Sequence, residues 1–188
     1  PKEALRQAGE LGFMGIYTPE AAGGLGLGRL DTSVIVEELA RGCTSTAAFL
    51  TIHNMATNMI ARYGEPGLVE QWCPLLVPGD KLASYCLTEP GAGSDAASLR
   101  STARRDGDHY ILNGRKSWVT SGPVADFFVV FMMTDPEKNQ KGISAFLVPG
   151  NTPGLSRGKK EPKLGIRASA TSELIFEDCR IPAENLLG

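Results

Sequence analysis

Apolar and polar positions change rhythm about two-fifths of the way along the chain. Over residues 1–80 apolar side chains recur every three or four positions, the period of a helix that buries one face. Leu5, Ala8 and Leu11 mark a short amphipathic segment that Gly9, Gly12 and Gly15 weaken, so it should stop near Phe13. A glycine-rich stretch follows, Thr18 to Gly28. It lacks the Lys-Ser/Thr of a phosphate loop and reads as a connector. Asp31 or Thr32 can cap a second helix from Ser33 to Arg41, stopped by Gly42. A third starts at Thr44–Thr46, carries Phe49, Ile52, Met59, Ile60 and Tyr63 on one face, and stops at Gly64. A fourth begins near Pro66, a residue suited to a first helical turn, and should end before Pro74. Val77-Pro78-Gly79-Asp80 then punctuates the chain.

From residue 81 the pattern becomes short apolar blocks. His109–Leu112, Ser117–Thr120, Phe127–Met133, Ile143–Val148 and Glu173–Phe176 read as strands, and Asn113-Gly114 reads as a hairpin turn between two of them. Strands at this spacing without intervening helices predict an antiparallel sheet or barrel. Helices followed by strands make the fold class α+β, with an α-helical domain over 1–80 and a β domain over 81–188. Lys2-Glu3-Ala4-Leu5 enters in mid-pattern and Asn185–Gly188 ends at a turn, so a piece of a longer protein is expected.

Composition narrows the function classes. The 188 residues, 42% hydrophobic and 21% charged, suffice for one large or two small domains. A net charge of −2 makes no electrostatic case for nucleic acid or a membrane surface as partner. No apolar run approaches membrane-spanning length, and no secretory leader pattern is present. Cys43, Cys73, Cys86 and Cys179 are scattered without C-x-x-C spacing, and only His53 and His109 accompany them. That set does not make a zinc site and reads as buried thiols suited to a reducing compartment, with a Cys–His pair left open. His53-Asn54, inside the third helix, reads as a polar pair near packed helices, since no acid lies close in sequence.

The candidate chemistry centres on residues 82–98. Leu82, Ala83, Tyr85, Cys86 and Leu87 form an apolar strand that breaks at Pro90 into Gly91, Gly93, Ser94, Asp95 and Ser98. A strand delivering a glycine-rich polar loop builds ligand cradles because bare amides approach closely, and glycines also reach conformations that other residues resist. The plain alternative is a turn between two strands. Gly91-Ala92-Gly93-Ser94-Asp95-Ala96 also fits the G-x-G-x-x-A dinucleotide fingerprint, which requires a strand before and a helix after. Residues 96–105 could be such a helix, but Glu89-Pro90 separates the strand from the glycines and Asp106-Gly107 leads back into strand-like sequence.

The whole string Cys86-Leu87-Thr88-Glu89-Pro90-Gly91-Ala92-Gly93-Ser94-Asp95-Ala96-Ala97-Ser98 resembles the signature of the acyl-CoA dehydrogenases. Asn113–Gly122, Lys141–Val148, Lys163–Arg167 and Phe176–Asn185 resemble further stretches of the same family. The resemblance implies part of an N-terminal helical domain followed by a barrel-like middle β domain, with the C-terminal helical domain absent. It implies FAD as cofactor, with Tyr85, Cys86, Leu87 and Thr88 along the flavin, Gly93 and Ser94 in the loop, Trp118 against the ring, and Val119 and Thr120 beside it. Ser94 is also expected to contact the acyl-CoA. For Trp118 the alternative is a core aromatic, and for Ser94 a turn serine.

The family removes an α proton with a carboxylate while a hydride leaves the β carbon for the flavin. Its base is a glutamate of the C-terminal domain, so no catalytic residue is assigned here. Glu89 and Asp95 are expected to bond loop amides. Leu30–Ile35, Gly42–Thr46 and Ile52–Met55 look most like the isobutyryl-CoA branch. The resemblance further implies an electron-transfer flavoprotein as acceptor, a homo-oligomer (tetramer or dimer) at full length, and a bacterial cytoplasm or mitochondrial matrix as location. The competing class is a non-catalytic binding or scaffold protein that keeps the fold without the base.

Overall fold

The continuous apolar run near the chain's middle forms the most enclosed strand. In the computed structural model, which describes residues 2–188, four helices precede most of the sheet: α1 (Lys2–Glu10), α2 (Arg29–Gly42), α3 (Thr44–Tyr63) and α4 (Pro66–Leu76). The strands are β1 (Ala83–Cys86), β2 (Thr102–Asp106), β3 (His109–Thr120), β4 (Phe127–Met133), β5 (Ile143–Pro149), β6 (Leu155–Arg157), β7 (Thr171–Pro182) and β8 (Leu186–Leu187). Phe127 and Val129 of β4 face Ala56 and Ile60 of α3 and Leu76 of α4. Phe128, Val130 and Met132 face the opposite side, among Leu112, Phe146 and Phe176. Burial on both faces is why β4 reads as an unbroken apolar block without alternation. Each such side chain contributes about 1.5–3 kcal/mol of transfer free energy.

The sheet order is β6-β7-β3-β2-β4-β5-β8, with β1 also paired to β4. Tyr110 of β3 and Phe146 of β5 have two strands between them in that order, yet their ring centroids are 4.8 Å apart. The sheet therefore curls around its inner cluster, in keeping with the α+β, barrel-like expectation, but it stays open. It is also mixed where an antiparallel sheet was expected. β1 and β2 both run parallel to β4, while the remaining pairings are antiparallel. These two parallel strands occupy one column between β3 and β4. From Cys86 to Thr102 the chain advances sixteen residues while β4 advances three, from Val130 to Met133. The glycine-rich stretch is thus an excursion that leaves the sheet and returns to the same column. No helix follows the glycines beyond a short 3-10 turn at Ala96–Ser98, so the dinucleotide-fold reading falls.

Other expectations shift in instructive ways. Asn113-Gly114 is not a hairpin but an internal part of β3, opposite a bulge in β7 where the register slips and Asp178 takes φ +46. Gly114 has φ +143, and a Cβ there would sit 2.2 Å from Ser101 Oγ, so only glycine fits. The hairpin lies at Gly107-Asp108 instead, with Asp106 paired to His109 and Gly107 at φ +63. α2 starts at Arg29, earlier than predicted, and Asp31 reaches back so that Gly28 N–H donates to its Oδ2 at 3.0 Å. α4 runs through Pro74 to Leu76, a position near the helix end where a missing N–H forfeits a single bond. Cys73, Cys86 and Cys179 are buried free thiols, but Cys43 is exposed, contrary to expectation.

The third and second helices differ sharply. α3 buries eight residues, whereas α2 buries none and leaves Leu30 and Val34 facing solvent. Two of the eight are His53 and Asn54. Ala83 N–H donates to His53 Nδ1 at 3.0 Å, so Nε2 carries the proton and donates to Leu76 O at 2.9 Å. Asn54 Oδ1 accepts from Ile16 N at 2.7 Å, and its Nδ2 donates to Phe13 O and Leu50 O. The pair ties α3 to the end of α4, the start of β1 and the segment after α1. Burial pushes the His53 pKa down to about 4, so the ring is neutral. No helix among the described residues is long and apolar enough to cross a membrane.

Candidate functional site

The excursion is closed at its neck by one buried ion pair. Glu89 N and O exchange hydrogen bonds with Ala92 O and N, folding Pro90-Gly91 into a tight turn. The Glu89 carboxylate accepts from Arg100 N at 2.7 Å and Ser101 N at 3.0 Å, joining the exit of the loop to its return. Lys116 of β3, with no exposed surface, donates to Glu89 Oε1 at 2.6 Å and to Leu87 O at 3.2 Å. Burial opposes the charge on Glu89, but the Lys116 ammonium and the two amides outweigh it and hold the carboxyl below its usual range. Burial is the larger influence on Lys116 and draws its pKa below that of a free lysine despite Glu89. Glu89 therefore bonds loop amides, as anticipated. Asp95 does not, because it is exposed and its side chain caps nothing.

The predicted site residues divide by what they present. Tyr85 is half-buried with its ring against Phe131, centroids 5.0 Å apart. Cys86 and Val119 turn their side chains into the sheet core, which leaves only their backbone to meet a ligand. Burial raises the Cys86 thiol far above the normal range, so it is no thiolate. Leu87 and Thr88 are half-buried, and the carbonyls of both are taken by β3, through Lys116 Nζ and through Ser117 N at 2.8 Å. Thr120 is half-buried and its carbonyl accepts from the Ser84 hydroxyl. Gly93 and Ser94 are exposed.

The expectation about the glycines needs correcting. Neither Gly91 nor Gly93 adopts a positive φ, and an added Cβ at either would meet nothing within 4 Å. What they leave is an open approach to the backbone, not a conformation that other residues resist.

Trp118 is the most unusual residue of the set. It is 64% exposed and has φ +57, a left-handed conformation that costs a bulky side chain about 1–2 kcal/mol. It lies in a bulge of β3, where the register with β7 slips between Lys116 and Val119. The bulge buries Lys116 and Val119 together and turns the indole between them outward. Within this chain Trp118 is therefore no core aromatic. A strained, flat, apolar side chain beside an accessible loop suits a planar aromatic ligand.

Sequence reasoning missed Lys116, although a signal was available. Tyr110, Leu112 and Lys116 stand at even spacing in β3, and the first two are apolar, so alternation places the ammonium inward, where it needs a carboxylate. A groove of about 750 Å³ between α1, the connector and α4 is lined by Leu11, Leu25, Val69 and Val77 and contains none of the predicted site residues.

Comparison with known proteins bears on this geometry. Residues 84–179 match the family model described as acyl-CoA dehydrogenase, middle domain, and residues 1–80 match acyl-CoA dehydrogenase, N-terminal domain. The mitochondrial isobutyryl-CoA dehydrogenase of Dictyostelium discoideum is 53% identical over 188 residues, covering all of this chain and 45% of that protein. The mitochondrial short-chain specific acyl-CoA dehydrogenase of Rattus norvegicus is 48% identical over 189 residues, covering all of this chain and 46% of that protein. The chain thus spans about half the length of these curated relatives. Among solved structures, one described as the electron transferring flavoprotein of Acidaminococcus fermentans superposes with TM-score 0.94 at 41% identity, covering all of this chain and 50% of that one. A glutaryl-CoA dehydrogenase from Mycobacterium smegmatis in complex with FADH2 superposes with TM-score 0.91 at 36% identity, covering 99% of this chain and 47% of that one.

Proposed function

The chain belongs to the acyl-CoA dehydrogenase family, and from that premise we propose that it forms the flavin- and acyl-CoA-binding wall of an FAD-dependent dehydrogenase of short acyl-CoA thioesters. The observation that carries the reading is Trp118, exposed in a strained bulge next to the residue whose amide pins the loop at Thr88. The residues present fit FAD. The indole offers a flat face, the Cβ space at Gly93 is open, and Thr88 and Thr120 bring hydroxyls able to donate or accept. In this reading Tyr85–Thr88, Gly93, Ser94 and Trp118–Thr120 hold the flavin, and Ser94 also meets the acyl-CoA. Cys86 and Val119 contribute through backbone groups only.

When bound, FAD supplies the acceptor for the hydride leaving the acyl β carbon. The residues of this chain orient that bond and exclude water from it. Residues 1–80 would act as the N-terminal helical domain and 81–188 as the middle domain. The α-proton base is assigned to the half of the protein outside this chain, since Glu89 is committed to Lys116 and two amides and Asp95 is exposed. A branched isobutyryl group is the favoured substrate, supported by the 53% identity to the Dictyostelium discoideum enzyme. Electron-transfer flavoprotein is the proposed acceptor, with a homo-oligomer at full length and a mitochondrial matrix or bacterial cytoplasm as location.

The test is to purify the full-length protein, record its flavin absorption, and add a panel of short acyl-CoAs without oxygen. Bleaching by isobutyryl-CoA ahead of straight-chain homologues supports the reading. Bound flavin that no acyl-CoA bleaches favours the non-catalytic alternative. The 188-residue chain alone should be inactive and bind FAD weakly, because loss of a positioned base costs about 10²–10⁴ in rate. It should also self-associate through Leu30 and Val34 of α2, which sedimentation measures directly. Turnover with micromolar FAD binding by this chain would refute the assignment of the base.

A further inference from the structure

We propose that Lys116 and Glu89 are positioning residues that set the loop and the Trp118 bulge in register as one surface, an inference that rests on the flavin site proposed above. Consider what a bare structural neck would require. An apolar pair of similar volume closes a loop at least as well as a buried ion pair, because desolvating two charges offsets much of their attraction. Here the two charges do something that an apolar pair cannot. The ammonium takes two acceptors, Leu87 O at the exit of the excursion and Glu89 Oε1 at its tight turn. The carboxylate carries the tie onward to the amides of Arg100 and Ser101 at the return.

Three points of the excursion are thereby referred to one side chain of β3. The next residue along β3, Ser117, bonds Thr88 O, and the one after that is Trp118 at φ +57. The loop backbone and the indole therefore take their relative position from one short segment, Lys116–Trp118. Either half of the pair acts on a ligand only through Leu87, Thr88 and Trp118. The tip of the excursion, Pro90 to Ser98, is exposed apart from Ala92 and the half-buried Ala96, so little else holds the loop against β3.

The experiment uses the full-length protein, with Glu89→Gln, Lys116→Met and, as a control for lost stability, His53→Ala. The readouts are the melting temperature, the FAD dissociation constant, the visible band of bound flavin and the exchange rate of the Ser117 amide. The two site variants are expected to weaken FAD by about tenfold or more, alter the flavin band and speed Ser117 exchange, since misplacement by about 1 Å is enough for such losses. His53→Ala should lower the melting temperature comparably while its FAD constant and band stay as in the unsubstituted protein. Glu89→Gln keeps shape and an acceptor, so it carries the test should Lys116→Met fail to fold. Site variants that melt earlier yet bind FAD with unchanged affinity and spectrum would overturn the proposal. An unsubstituted protein that retains no flavin would overturn the site reading itself, and is seen before any variant is compared.

Discussion

Two polar knots sit inside this molecule, and they are built on opposite plans. The one at His53-Asn54 is neutral, lies between helices and sheet, and bonds only backbone groups apart from Thr57. The one at Glu89–Lys116 is charged, lies at the mouth of a loop, and joins side chain to side chain as well as to backbone. A neutral knot suffices where rigid elements already meet and only orphan carbonyls and amides need partners. A charged one occurs where a long, exposed excursion is held in one geometry. The difference teaches where to look for function: a buried charge beside an exposed loop is a stronger sign than a buried histidine between helices.

The comparison can be broken by substitution. Lys116→Ala strands the Glu89 carboxylate without its ammonium, and unfolding in denaturant should show a loss of about 3–5 kcal/mol. Acid titration should separate the knots. The His53 pKa is near 6.5 unfolded and about 4 folded, so protons bind the unfolded chain first as pH falls. The contribution is fully present above pH 6.5 and declines between about 6.5 and 4, reaching about 3 kcal/mol of lost stability. The Glu89 carboxyl is lowered from 4.5, so its contribution holds above that value and fades only as pH falls through its lower folded value. Equilibrium unfolding across this range, with His53→Gln removing the earlier phase alone, checks the order. The smallest effect concerns Trp118. Trp118→Gly relieves the left-handed strain, so stability should rise by about 0.5–1 kcal/mol while flavin affinity falls. A variant that loses stability and keeps flavin would reverse the roles assigned to indole and backbone.

Much of the fold was legible because the period of burial is local. α3 announces itself through Phe49, Ile52, Met59 and Ile60, and β4 through a run that only a doubly covered strand explains. Signals that depend on a distant partner were misread. Asn113-Gly114 has the chemistry of a hairpin, but it runs on through β3, with Gly114 close against Ser101 and the bulge on β7 opposite. α2 shows apolar spacing as clear as that of its neighbour, yet this chain covers it only in part: Leu39 packs on the cluster of Ala8, Met14 and Leu50, while Leu30 and Val34 stay exposed. Trp118 and Thr88 were singled out as site candidates through a long family motif. Lys116 was passed over because a lysine in a strand is normally read as solvent-facing, and only the even spacing from Tyr110 and Leu112 reveals otherwise.

The return of β2 to the column vacated by β1 has a consequence for how such a protein can change over time. Because β4 registers only three residues across the gap, the sheet is indifferent to how long the excursion is. Segments between Ala92 and Leu99 can be lengthened, shortened or exchanged with those of a relative, and the strands on either side need no new partners. For the sheet, the constraint is confined to the clasp formed by a carboxylate, two amides and an ammonium. A designer could treat the excursion as a cartridge, exchanged one loop at a time on an unchanged frame.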